Sequence, residues 1–144
     1  MRLRDVLDQR DLRLRLLTGD DGLDCQLGQV YTTDLLDSGR YLAGGELVLT
    51  GMMWWRGPDD SEQFVGSLRD CGVAALGAGE GLLGAVPDDL VQACRRWRLP
   101  LFAVPADISF RHITDRISSL LWAEREAAAI ASRSHHRGRL SALA

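Results

Sequence analysis

Apolar positions along this chain change period several times, and the changes mark its elements. A short amphipathic turn around Val6 and Leu7 gives way to Leu12, Leu14 and Leu16 alternating with Arg13 and Arg15, the period-2 pattern of a half-buried strand. Thr18-Gly19-Asp20-Asp21-Gly22 has the composition of a turn. A second short strand is predicted over residues 27–31, ending in Thr32-Thr33-Asp34. From Leu47 the pattern changes to continuous apolar runs alternating with helical spacing. Leu47-Val48-Leu49 is the first such run. The helix after it has Asp59 and Glu62 spaced like a capping box, Phe64, Val65 and Leu68 on one face, and Gly72 past its end.

Val73-Ala74-Ala75-Leu76 is the next run, followed by the glycine-rich stretch Gly77-Ala78-Gly79-Glu80-Gly81, which reads as a loop. Pro87 then opens a helix with Asp88 and Asp89 in its first turn, where negative charge suits the helix dipole, and with Leu90, Val91, Cys94 and Trp97 as its apolar face. Leu101-Phe102-Ala103-Val104 lies between Pro100 and Pro105 and leads into a last helix predicted over residues 108–131, with Ile113, Ile117, Leu120 and Leu121 at helical spacing. Three apolar strands separated by two helices of about ten residues imply a βαβαβ core with right-handed crossovers. The predicted class is α/β: a small parallel or mixed sheet, helices on its faces, and a long C-terminal helix. Residues 132–139 are basic and polar without periodicity and read as a linker or tail.

Composition narrows the functions open to this fold. At 144 residues and 46% hydrophobic, the chain suits one domain with a sizeable core. No apolar run approaches the roughly 20 residues that span a bilayer, and Met1-Arg2-Leu3-Arg4-Asp5 begins no secretory signal, so the expected location is the cytoplasm. Cys25, Cys71 and Cys94 stand apart, without the spacing of a disulfide framework or zinc ribbon, and read as small buried hydrophobes. A net charge of −3 argues against nucleic-acid binding by this segment.

The candidate chemistry is polar and small. Thr32, Thr33 and Asp34 supply hydroxyls and a carboxylate; Gly44, Gly45 and Glu46 precede the first parallel strand, and Thr50 and Gly51 follow it. Backbone N–H groups at these glycines, with Glu46 and Thr50, suit a small polar ligand, while two turns around a strand are the plainer alternative. Gly77 and Gly79 lie where phosphate-binding loops follow strands, but the third glycine of G-x-G-x-x-G is out of register and two aspartates guard the next helix, which disfavours a dinucleotide. Met52-Met53-Trp54-Trp55 fits a lid, a ligand-facing wall or a dimer contact, and equally a buried satellite cluster. No nucleophile, base and orienting group occur together, and no histidine pair has metal-ligand spacing, so no enzyme activity, cofactor or metal is expected.

Four segments resemble one family. Tyr41-Leu42-Ala43-Gly44-Gly45-Glu46-Leu47-Val48-Leu49-Thr50 is similar to the central motif of the N-terminal domain of PucR-type regulators, the purine catabolism regulatory protein-like domain. Val30-Tyr31-Thr32-Thr33-Asp34-Leu35, Cys71-Gly72-Val73-Ala74-Ala75-Leu76-Gly77 and Leu99-Pro100-Leu101-Phe102-Ala103-Val104-Pro105 resemble further stretches of it in the same order. The resemblance implies a regulatory domain over residues 1–122, followed by a helix extension and tail over residues 123–144. It implies a fold like the N-terminal domains of Mur ligases and HPr kinase. In such regulators a GGDEF-like domain without cyclase activity and a DNA-binding helix-turn-helix lie outside the part seen here. The implied role is effector sensing, with a small nitrogenous metabolite as ligand, or oligomerisation as a homodimer. The expected pocket is built from Thr32, Thr33, Asp34, Glu46, Thr50 and the loop at 77–81, with Trp54 or Trp55 near its mouth. A pure dimerisation module that binds nothing small is the alternative.

Overall fold

The computed structural model describes the backbone of residues 1–143 and the side chains of residues 1–133. Its centre is a five-stranded sheet formed by β1 (Arg15–Thr18), β2 (Gln29–Thr32), β3 (Glu46–Thr50), β4 (Ala75–Gly79) and β5 (Leu101–Val104), in the order β1-β5-β4-β3-β2. β2 to β5 run parallel, and β1 adds to β5 as an antiparallel edge. The connections are α2 (Pro58–Asp70) between β3 and β4, and α3 (Asp88–Arg96) between β4 and β5. α1 (Leu3–Leu7) opens the chain and α4 (Phe110–Leu143) ends it.

Alternation along the strands divides the core in two. Val48, Leu76 and Leu101 face α2 and α3, packing on Phe64, Val65, Leu68, Leu90 and Cys94. Leu47, Leu49, Ala75, Phe102 and Val104 face the other way, against Leu3 and Val6 of α1, Leu12, and Ile113 and Ile117 of α4. Side chains of period 2 on a sheet covered on both faces make every position of β3, β4 and β5 buried, which is why Leu47-Val48-Leu49 and Leu101–Val104 read as unbroken apolar runs.

Several expectations are corrected. Gly77-Ala78-Gly79 is not a loop but the second half of β4, fully buried. A Cβ on Gly77 would stand 2.7 Å from Leu49 Cδ2 and from the Phe102 ring, so the glycine leaves room for those two side chains rather than for a ligand. The first strand begins later than the alternation predicts: residues 10–12 form a 3₁₀ turn, Arg13 is left-handed (φ 52°), and only residues 15–18 pair with β5. Asp59 and Glu62 form no capping box; Gly57 is the N-cap of α2, Asp60 accepts the Arg56 N–H (3.0 Å), and Glu62 accepts from Trp97 Nε1 (2.9 Å) and pairs with Arg96. The backbone of residues 132–139 continues as helix, since no proline interrupts α4 before Leu143. Cys94 is buried as expected, and burial raises its thiol pKa, but Cys25 and Cys71 are only half-buried. Among the described residues, no helix is long and apolar enough to cross a membrane.

Candidate functional site

Parallel strands bring their C-terminal ends, and the loops that follow, to one edge of the sheet, the usual place for ligands in open α/β folds. Here the loop after β2 delivers Asp34, and the loop after β3 delivers Gly51 and the residues around it. The two are latched together. Asp34 Oδ1 accepts hydrogen bonds from the Thr50 hydroxyl (2.9 Å), the Gly51 N–H (2.8 Å) and the Met53 N–H (3.4 Å). Thr50 is itself fully buried, and its Oγ1 accepts from Trp54 Nε1 (3.0 Å) and the Met52 N–H (3.3 Å). Glycine at 51 is a matter of space, because a Cβ there would lie 3.3 Å from Asp34 Oδ2.

A cavity of about 570 Å³ opens beside this latch, within the range typical of small-molecule sites. Asp34, Gly51 and Met53 form one side of it. Gly79, Gly81 and Leu82, at and beyond the end of β4, form the second, and Pro105, Ala106, Ile108 and Phe110, between β5 and the first turn of α4, form the third. Met53 and Leu82 are exposed (73% and 61%) and flank the mouth. A Cβ on Gly79 would sit 3.0 Å from Phe110 Cζ, so the missing side chain lets that ring close the floor. Among the described residues, Asp34 is the single ionisable group of the lining. Its Oδ2 has no hydrogen-bond donor among the described residues.

Of the residues singled out in the sequence, the structure gathers Asp34, Thr50, Gly51, Met53, Gly79 and Gly81 at this edge. It does not bring the others to the cavity. Gly44, Gly45 and Glu46 lie at the opposite, N-terminal edge, where the buried Glu46 carboxylate accepts the N–H groups of Ala43 (2.7 Å) and Gly44 (2.8 Å). Gly44 and Gly45 are left-handed (φ 109° and 81°), and Gly45 joins two strand entrances, its N–H donating to Gly72 O (2.8 Å) and its carbonyl accepting from Gly28 (2.9 Å). This motif shapes the sheet entrance and spends its carboxylate doing so. Thr32 is exposed, and Thr33 is buried with its hydroxyl 2.9 Å from that of Ser38.

Trp54 is not at the cavity mouth but buried, stacked on Phe64 with ring centroids 4.2 Å apart; Trp55 packs on the same core and donates Nε1–H to Asp89 (2.9 Å). The bulky segment 52–55 is therefore mostly a buried cluster, with Met53 alone turned to the cavity. The sequence reading missed the apolar wall of Leu82, Pro105, Ile108 and Phe110, which comes from separate loops. Pro105, immediately after an apolar strand, was the available signal.

The fold and this edge define a three-layer α/β domain with a cavity at the C-terminal ends of its parallel strands. Its identity comes from comparison with known proteins. The model of the purine catabolism regulatory protein-like (PucR) family, a family of transcription regulators, matches residues 5–121, and the chain belongs to that family. No curated protein matches. Among solved structures, the chain is similar to the CBS and DRTGG domains of the regulatory region of Clostridium perfringens pyrophosphatase, solved in complex with its activator, diadenosine tetraphosphate. The identity is 14% and the TM-score 0.54; the match covers 78% of this chain and 46% of that one.

Proposed function

We propose that this domain senses a small nitrogenous effector for a transcription regulator, binds it in the cavity beside Asp34, and carries out no catalysis. The observation that carries the reading is the cavity itself, which is preformed, mainly apolar, sited where open α/β sheets bind ligands, and floored by Phe110, the first residue of α4. Occupancy would thus be felt at the start of the element that leaves the domain. The family supports a regulatory role, and the Clostridium chain, part of which is similar to this domain, is itself a regulatory region solved with its activator. DNA contact belongs to a helix-turn-helix outside this chain.

The test is effector response in a full-length regulator carrying Gly81→Phe. Gly81 is exposed, and a Cβ there meets only Ala106 Cα, at 4.0 Å, so the ring can occupy the cavity without disturbing the core. Loss of response with unchanged DNA binding is expected. A fully responsive variant would refute the site.

A second reading, dimerisation, rests on α4. Ile117 is its last fully buried residue among those described, and Trp122 and Ile130 beyond it are exposed (65% and 54%). Large apolar groups on a protruding helix suit pairing with a second copy. Light scattering should report a dimer that Trp122→Glu with Ile130→Glu converts to a monomer; a wild-type monomer at all concentrations would exclude this reading.

A further inference from the structure

The effector-site reading leaves the chemistry of the ligand open, and the charges around the cavity constrain it. Among the described residues, Asp34 is the only charged one lining it. The charges in neighbouring segments lie near other groups or in solvent: Glu80 is 3.9 Å from Arg15, Asp107 pairs with Arg13 (2.5 Å), and Arg111 is 92% exposed, 4.0 Å from Asp115. Among the described residues, no arginine or histidine reaches the lining to neutralise an anion. The Asp34 carboxylate is fixed rather than free to swing, because Oδ1 holds the Thr50, Gly51 and Met53 donors while Oδ2 takes none among the described residues. A fixed acceptor beside apolar walls selects a ligand by a complementary N–H group, since a ligand without one would bury the carboxylate unpaired.

Resting on that reading of the cavity, we propose that it accepts a compact, largely apolar or flat ligand whose polar end presents N–H donors, cationic or neutral, to Asp34 Oδ2, and that it rejects carboxylates and phosphates. The selectivity is opposite in charge to that required by a polyphosphate such as the activator in the Clostridium structure. One feature opposes it: the first turn of α4 starts at the cavity wall, and a helix N-terminus favours anions. The Ser109 hydroxyl accepts one of its N–H groups, that of His112 (3.1 Å), and the full carboxylate charge of Asp34 outweighs the partial charge that remains.

Three probes of matched shape isolate the polar end: benzamidine, benzamide and benzoate, with AMP as a phosphate probe. They are titrated into the ¹⁵N-labelled domain, following the amides of Gly51, Met53 and Leu82. Benzamidine should shift these amides saturably, benzamide should bind about tenfold more weakly for lack of the charge-assisted pair, and benzoate and AMP should leave them unmoved. Asp34→Asn keeps an oxygen for the Thr50, Gly51 and Met53 donors but replaces Oδ2 with an amide, so it should remain folded and lose the preference for benzamidine. Gly81→Phe should block every probe. If benzoate or AMP shifts the same amides and Gly81→Phe prevents it, the cavity binds ligands but the N–H class is wrong. If benzamidine binds equally well to Asp34→Asn, the class is wrong too. If no probe moves these amides, the effector-site reading fails together with the ligand class.

Discussion

Two glycines four residues apart, one inside β4 and one in the turn after it, show how little a residue type says without its surroundings. Gly77 and Gly81 belong to one glycine-rich run, yet Gly77 lies between Leu49 and Phe102 in a close-packed core, and Gly81 faces open space. Gly77→Ala should destabilise the domain by about 1–3 kcal/mol, because the added methyl forces Leu49 or the Phe102 ring out of place in an interior that cannot expand freely. Gly81→Ala should be neutral or slightly stabilising, through the reduced freedom of its unfolded chain. Urea unfolding of both variants measures the contrast, and equal midpoints would show that the core around Gly77 yields more easily than its packing indicates. Asp34 makes the same point for polar groups: its Oδ1 latches the loops after β2 and β3 together, a duty that the triplet Thr32-Thr33-Asp34 does not show.

At the scale of elements, legibility followed continuity. β5 was readable because four apolar residues stand between two prolines, and α3 because Pro87, two aspartates and a spaced apolar face agree with one another. β4 was misplaced because its second half is glycine and alanine, residues that signal a loop until Phe102 and Leu49 are known to fill the space beside them. The cavity was half legible for a related reason. Polar members such as Asp34 and Thr50 stand out locally, whereas its apolar wall is gathered from separate loops by the parallel sheet.

An element-scale prediction concerns the docking of α4 on the N-terminal segment. Arg116 makes two bonds to Asp11 (2.9 and 2.6 Å) and one to Gln9 (2.9 Å), and this guanidinium holds the Asp11 carboxyl down to about 2, below its ordinary value of 3.8. Arg13 lowers Asp107 in the same direction. A carboxylate whose folded pKa is depressed contributes its stability above the unfolded value and loses it as pH falls towards the folded one. The wild-type domain should therefore lose stability between about pH 4 and pH 2, and Asp11→Asn should flatten that part of the curve while lowering stability at neutral pH. Urea midpoints at pH 6, 4 and 2.5 measure this, and parallel curves for the two proteins would remove Asp11 as a determinant of α4 docking. The carboxylates of Asp11 and Asp107 are well exposed, so the effect is expected to weaken with added salt.

For the molecule as a whole, the question is how a cavity at one edge of a sheet reaches a partner domain. α4 begins at the cavity with Phe110, is anchored by Ile113 and Ile117 in the core and by Arg116 on Asp11, and then runs on to Leu143. At 1.5 Å per residue its 34 residues span about 50 Å, so a tilt of about 3° at Phe110 displaces the far end by about 2.6 Å. The buried anchors make it a stiff lever rather than a tether, since Ile113 and Ile117 cannot slide in a packed core without moving the helix as a body. A ligand that contacts Phe110 should therefore change the helix at its base. Bound benzamidine should slow amide exchange in residues 110–117 and in the loop around Leu82, and leave β3 and β5, which are buried along their whole length, unchanged. Gly79→Ala should mimic part of this effect without ligand, because its methyl, 3.0 Å from Phe110 Cζ, presses on the same ring. Exchange measured by mass spectrometry on the wild type, with and without the probe, and on Gly79→Ala decides the matter: if protection appears around Leu82 but never in residues 110–117, the cavity binds without moving α4, and the signal leaves the domain by another route.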